Sequence, residues 1–347
     1  MAKLSRAYVD QCDASWTVRY YRKGVPISTP QRITQLGFER HNGEVGYATI
    51  VHDTSSGGDC CGQLGVLEPF ADEVVIHRGG KWAWSGWLLE PRYFRGAVSV
   101  RAFDMLGWPL VRLIRQDIVN TGDDLTEIFE DYWRHAIDVQ PPAAYDLQLT
   151  PTGVVQDRIV EAIEARLSWD PMRELVEAGM DLLVLGNRIV AGRPDFGQID
   201  ITQSMFEGAP EVAKLGEGYA NRFVVRAEAG TLGAAGSMLG DPPFPLVEMV
   251  LEDQGVTDQA GADAAAGAAL ELMDRPPRVL QTQGGASLNI DRAGGLDVLI
   301  PCMQVNYRPE GYCFGEAGSY RLASVSVQVD GKAETVTPVF EPLRRVG

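Results

Sequence analysis

Alternation of apolar and polar residues, interrupted by glycine-rich turns, constrains this chain more than any other feature. Trp16, Val18 and Tyr20 alternate with Thr17, Arg19 and Tyr21, the period of two that sends successive side chains to opposite faces of a strand. Val45 to Val51 is a second β-rich run. Glu73 to Arg78 and Lys81 to Leu88 flank Gly79-Gly80, two residues that tolerate the positive φ of a tight hairpin. Ala97 to Phe103 supplies a further strand, and no helical period intervenes. Residues 1–118 are therefore expected to form a β-barrel or sandwich.

The period then changes. Leu125, Ile128, Phe129, Tyr132, Trp133, Ala136 and Ile137 fall on one face of a helix. Asp123, Asp124 and Glu127 stand at its start, where the helix dipole favours negative charge, and Pro141-Pro142 ends it. Ile159, Val160, Ile163 and Leu167 predict a second helix. Asp170-Pro171 reads as an N-cap followed by proline at the first helical position, with Met172, Leu175 and Val176 inward and Gly179 as the stop. Leu182 to Leu185 and Arg188 to Ala191 flank Gly186-Asn187, a small hairpin. Residues 119–215 are thus an α+β insert.

Residues 216–347 return to β. Arg222 to Glu228 reads as a strand, and Gly230, Gly233, Gly236 and Gly240 as a mobile or closely packed loop. Thr257 can cap an alanine-rich helix over 257–273, stopped before Pro276-Pro277. Val325, Val327 and Val329 share a strand face, Asp330-Gly331 turns, and Thr335 to Phe340 returns. All seven tryptophans and all four histidines lie in the first half, while the second is rich in Gly, Ala and Val. The two halves are expected to keep separate cores. The fold class is α+β, mainly β.

Composition narrows the function. At 347 residues the chain has room for two or three domains. No apolar stretch approaches the length needed to cross a bilayer, and the start, Met1 to Arg6, lacks a signal-peptide core, so folding in a cytoplasm without membrane insertion is expected. The net charge of −16 argues against holding nucleic acid by its phosphates, yet suits a passage through which DNA slides without sticking. Cys12, Cys60, Cys61, Cys302 and Cys313 are odd in number and two are adjacent, so free thiols are expected.

Chemistry-bearing patterns are weak. His52-Asp53 with Asp59, Cys60 and Cys61 is the best cluster of metal-ligand types, but adjacent cysteines rarely reach one ion, and a glycine-rich surface loop is the simpler reading. There is no G-x-S-x-G elbow, H-E-x-x-H helix or Walker-type loop. Gly216 to Asn221 lacks the spacing of a dinucleotide site. No catalytic residue, metal or cofactor is assigned. Trp82, Trp84, Trp87 and Trp108 are candidate core or subunit-interface aromatics, with Trp82 and Trp84 on one strand face; a sugar-stacking platform is the alternative.

The order of motifs adds a resemblance. Trp84-Ser85-Gly86-Trp87-Leu88 precedes Gly96 to Trp108, followed by Arg115, the helix with Trp133, Leu167-Ser168-Trp169, the Leu182 to Ala191 hairpin, Gly216 to Asn221 and finally Leu322 to Val327. This succession resembles the minor tail proteins of siphophages that infect actinobacteria, and spans nearly the whole chain. The resemblance implies a baseplate-hub fold: two tail-tube-like β-barrels per chain with α+β elements inserted, assembled as a homotrimer whose six barrels continue the tail tube. It further implies a structural component of the virion tail tip, assembled in the host cytoplasm. Its partners would be the distal tail ring, the tape measure and further tip proteins, and genome DNA would pass without specific binding. Receptor recognition or wall cleavage would fall to those partners. A distal tail ring component and a glycan-binding tip module are the alternatives.

Overall fold

The computed structural model describes residues 16–30, 32–55, 64–138, 141–214, 220–227, 232–236, 246–253, 259–273, 278–282, 286–309, 318–331 and 333–342. The first strands are β1 (Trp16–Arg22), β2 (Val25–Ser28), β3 (Ile33–His41), β4 (Tyr47–Asp53), β5 (Asp72–Arg78), β6 (Lys81–Phe94) and β7 (Ala97–Phe103). In β1, Trp16, Val18 and Tyr20 are buried while Thr17 and Arg19 are exposed, as the alternation requires. Gly79 and Gly80 both have positive φ, at 56° and 80°, and join β5 to β6 as a hairpin.

The middle of the chain adds β8 (Ile118–Asp124), α1 (Leu125–Ile137), β9 (Asp146–Thr150), β10 (Val155–Val160), α2 (Trp169–Glu177), β11 (Asp181–Leu185) and β12 (Arg188–Gly192). Helix α1 begins with a capping box: Asp124 accepts from the Thr126 backbone and Glu127 reaches back to the Asp124 N–H. Its seven predicted apolar positions are all buried.

Two local expectations fail here. Ile159, Ile163 and Leu167 do not share one helix: Val155 to Val160 is a strand paired with β8, Ile163 stands in a single 3-10 turn, Leu167 bridges to Leu113, and all three side chains are exposed. Apolar residues four apart fit a strand's alternation as well as a helix, and the β-branched residues favour the strand. Helix α2 starts at Trp169, so Pro171 sits within its first turn. Ser168, not Asp170, is the N-cap, and its hydroxyl bonds instead to the Arg112 carbonyl.

The remaining strands are β13 (Gln198–Thr202), β14 (Phe206–Glu207), β15 (Glu211–Lys214), β16 (Arg222–Ala227), β17 (Leu232–Gly236) and β18 (Glu248–Asp253). Helix α3 (Gln259–Met273) leads to β19 (Arg278–Gln281), β20 (Ser287–Leu288), β21 (Gln304–Arg308), β22 (Gly318–Asp330) and β23 (Ala333–Pro342). Gly233 takes part in β17, where a Cβ would stand 2.1 Å from the Ala262 backbone, so close packing against α3 selects glycine. The expected cap Thr257, the stop Pro276-Pro277, Gly230 and Gly240, and residues 216–219 lie outside the described residues.

One 11-stranded sheet dominates, in the order β13-β21-β22-β3-β4-β7-β6-β5-β1-β2, with β23 also on β22. The C-terminal hairpin thus adds directly to the N-terminal strands: β22 pairs antiparallel with β3, Val327 opposite Phe38. Separate cores for the two halves are therefore ruled out. A single apolar cluster takes Trp16, Tyr20, Phe38 and Ile50 together with Leu280, Tyr307, Val327 and Phe340. A second core surrounds α1 and α2, and a small third one lies between α3 and the β17-β16-β18 sheet. Among the described residues no helix is long and apolar enough to cross a membrane.

Candidate functional site

Strand β6 lies between the two main cores and carries three of the candidate tryptophans, Trp82, Trp84 and Trp87, while Trp108 stands in the turns that follow β7. Opposite His77 stands Trp82 and opposite Ile76 stands Trp84, with Ala83 unpaired between them. This bulge puts Trp82 and Trp84 on opposite faces, correcting the expectation that they share one. Trp84 enters the large sheet core, whereas Trp87 enters the helical core. Trp82 is half-buried, with the Arg40 guanidinium 5.0 Å from its ring centroid.

Two of the sequence motifs meet in this region. Trp108 packs edge-on against Trp87 at 5.9 Å and against Phe103 at 5.7 Å, and Phe70 lies 6.1 Å away. Such edge-to-face pairs contribute about 0.5–1.5 kcal/mol beyond their burial. The glycines of both motifs make the approach possible. A Cβ on Gly86 would stand 2.1 Å from the Phe103 carbonyl, and one on Gly107 would be 1.9 Å from the Phe103 ring. The W-S-G-W and F-D-M-L-G-W segments thus form one aromatic joint between the sheet and the insert.

Polar groups hold the same joint. Asp104 accepts from Gly46 N at 2.8 Å and Leu106 N at 2.9 Å. Burial pushes its carboxyl up to about 7, against those two hydrogen bonds. Asn42 donates to Asp181 at 3.3 Å and accepts from Leu182 N at 2.9 Å, tying β3 to β11. Arg321 on β22 contacts Asp181 and lies 3.3 Å from Glu341 on β23. Beside them Cys302 is a free thiol at φ 76°, pushed up to about 12 by burial.

Within the sheet core, Arg40 is buried and donates to the carbonyls of Ala83, Leu296 and Leu299, so it links β3, β6 and the turn before β21. Burial lowers it to about 10, which leaves it charged at neutral pH. His52 is buried with its Nε2 2.7 Å from the Tyr20 hydroxyl, and burial lowers it to about 4. Of the metal-ligand types noted in the sequence, His52 is thus occupied by Tyr20, Asp53 accepts from Ser55 N, and Asp59, Cys60 and Cys61 lie outside the described residues. Among the described residues no group of three or more His, Cys, Asp or Glu side chains is placed to hold a metal ion.

Arg40, Asp104, Asp181 and Arg321 were not singled out from the sequence. A signal existed for Arg40, which falls on the same strand face as Leu36 and Phe38 and so was bound to point inward. These buried ionisable groups serve as ties between segments of backbone.

No family model and no curated protein matches the sequence. Solved structures do match the fold. The 43 kDa tail protein of prophage MuSo2 from Shewanella oneidensis superposes with a TM-score of 0.66 at 13% identity, covering 94% of this chain and 99% of the other. The chain has the fold of a phage tail protein. Prophage tail protein gp18 from Listeria monocytogenes gives a TM-score of 0.62 at 8% identity, covering 95% of each chain. An E. coli component of the type VI secretion system, itself structurally similar to the T4 bacteriophage tail proteins gp27 and gp5, gives 0.56 at 10% identity. It is covered over 77% of its length, against 94% of this chain. The tail-protein fold therefore extends over nearly the whole chain, sheet and insert together.

Proposed function

We propose that this chain is a structural tail protein of a long-tailed bacteriophage, forming the homotrimeric hub at the tail tip that continues the tube and gates the DNA channel. The observation that carries this reading is the end-to-end match, in both directions, between this chain and a prophage tail protein. The likeness to a type VI secretion component that resembles gp27 and gp5 favours a hub over a peripheral fibre. On this reading residues 1–118 and 216–347 supply two barrel-like halves, 119–215 is the insert, and the 11-stranded sheet is where the halves join. The virus would be a siphophage of actinobacteria, with the distal tail ring, tape measure and further tip proteins as neighbours.

The role is mechanical, not catalytic. Trp87 and Trp108, both buried, hold the sheet to the insert, Trp84 packs within the sheet core on the other side of the strand, and Trp82 lies at the edge of the joint. Three chains of −16 each put a large negative charge around the axis, and acidic residues on the channel wall repel phosphate and ease DNA through. A neutral or basic wall would contradict this. The deciding measurement is the position and symmetry of this chain in a cryo-EM map of the intact particle. Three copies around the axis at the tip support the hub. Six copies point to the distal tail ring, and copies on peripheral arms point to receptor binding.

A further inference from the structure

The joint between the sheet and the insert encloses carboxylates without cations. Asp104 is buried and makes four connections to the backbone. Its Oδ2 accepts from Gly46 N at 2.8 Å and its Oδ1 from Leu106 N at 2.9 Å. Its own N–H donates to the Gly46 carbonyl at 2.9 Å, and its carbonyl accepts from Gly107 N at 3.0 Å. One residue thus ties the approach to β4 to the 3-10 turn Met105–Gly107, which delivers Trp108 to Trp87 and Phe103. Glu73 stands opposite Trp87 in the β5–β6 pairing, half-buried beside the same rings.

Among the described residues neither carboxylate forms an ion pair, and the charged groups around the joint are engaged elsewhere. Arg112 lies over the Trp108 ring at 5.2 Å and donates to the Ala136 and Ile137 carbonyls at 2.6 and 3.2 Å. On β1, which pairs with the strand of Glu73, Arg22 is taken by Asp72 and Arg19 is exposed. Arg101 on β7 is exposed too, and before β4 His41 contacts Glu39 and Glu44. A carboxylate in apolar surroundings without a cation is costly to ionise. Burial holds both groups above the usual carboxylate range, and at Asp104 it outweighs the two N–H donors, which favour the ionised form. When such a joint opens, the carboxyl meets water and gives up its proton. The closed joint therefore holds the proton more tightly than the open one, and opening becomes easier as the pH rises.

We propose that the joint is a proton-operated latch: proton uptake by Asp104, supported by Glu73, tightens the grip of the sheet on the insert. The latch is a property of the single chain and does not depend on the ring reading. It works between about pH 4, where an exposed aspartate titrates, and about 7. Across that range the opening equilibrium should rise by up to about tenfold per pH unit and then level off. Hydrogen exchange of the full chain from pH 5 to 8, corrected for the intrinsic pH dependence of exchange, tests this. The readout is protection of the amides at Gly46, Leu106 and Gly107, whose hydrogen bonds Asp104 accepts. In wild type that protection should fall at least about tenfold between pH 5 and 7. In Asp104→Asn, which cannot titrate, it should stay constant. Wild-type protection that is flat or rises with pH overturns the latch, as does an equal fall in the variant. Should Asp104→Asn fail to fold, carboxyl NMR of the wild type labelled at aspartate decides. One aspartate must titrate near pH 7, and a set that has finished titrating by pH 5 overturns the proposal.

Discussion

Acidification should weaken this fold through His52, and the size of the effect follows from its surroundings. His52 is buried in the large core against Tyr20, and burial holds its folded pKa near 4. The unfolded side chain titrates near 6.5. Between these values the unfolded chain takes up a proton that the folded chain refuses, so stability is intact above about pH 6.5 and declines as the pH falls towards 4. At about 1.4 kcal/mol per pH unit the loss approaches about 3 kcal/mol, a large share of the about 5–15 kcal/mol typical of a domain. Replacing His52 with Gln keeps a polar partner for the Tyr20 hydroxyl but removes the titration. Urea denaturation of both proteins at pH 7, 5.5 and 4.5 isolates the effect, because every other group contributes equally to the two. Wild type should lose about 2–3 kcal/mol more than the variant between the extremes. Parallel slopes would refute the assignment of His52 as a buried neutral group.

Asp104 should act with the opposite sign. Its folded pKa near 7 lies above the unfolded value, so its contribution is fully present below about pH 4 and is lost as pH rises through 7; Asp104→Asn should steepen the gain in stability between pH 4 and 6.5, read by the same denaturation series. Gly86→Ala should cost at least about 3 kcal/mol, because the new Cβ meets the Phe103 carbonyl rather than a side chain that can swing away. Gly267→Ala, in α3 with open space around it, should instead raise the melting temperature, by about 0.5–1 kcal/mol of stability. Asp181→Ala should destabilise by about 3 kcal/mol by stripping Arg321 of a buried partner, while pairing it with Arg321→Met should recover more than about 1 kcal/mol of that loss in a double-mutant cycle.

The elements set by local pattern were legible. Helix α1 could be read from its spacing and its acidic start, although it stops at Ile137, short of Pro141-Pro142, and the Gly79-Gly80, Gly186-Asn187 and Asp330-Gly331 hairpins from their turns. What the pattern does not carry is the identity of a strand's partner. Val325, Val327 and Val329 declare a buried face, but nothing in their alternation says that β3 lies beside them. The β8–β10 pairing misled for a related reason. Ile159, Ile163 and Leu167 are spaced for burial, and only the structure shows that all three are exposed among the described residues. A bulge such as that at Ala83 reverses the side of every residue beyond it without any residue type announcing the reversal. Of the joint, Trp87 and Trp108 were named from the sequence, whereas Asp104 and Arg321 were hidden among the many charged residues of an acidic chain.

The pairing of β22 with β3 also has a consequence for the order of events during synthesis. Trp16 and Glu334, hydrogen-bonded across that region, lie 318 positions apart in the chain. At about 5–20 residues per second the ribosome needs roughly 15–60 s to make the second after the first. For that interval one flank of β3 has no partner, and contacts so distant in sequence are among the slowest to form. Prematurely terminated chains that lack 318–342 would keep that flank open. Docking of β22 onto β3 therefore waits on roughly 290 intervening residues, so this sheet can be assembled in full only after nearly all of its other strands have been made.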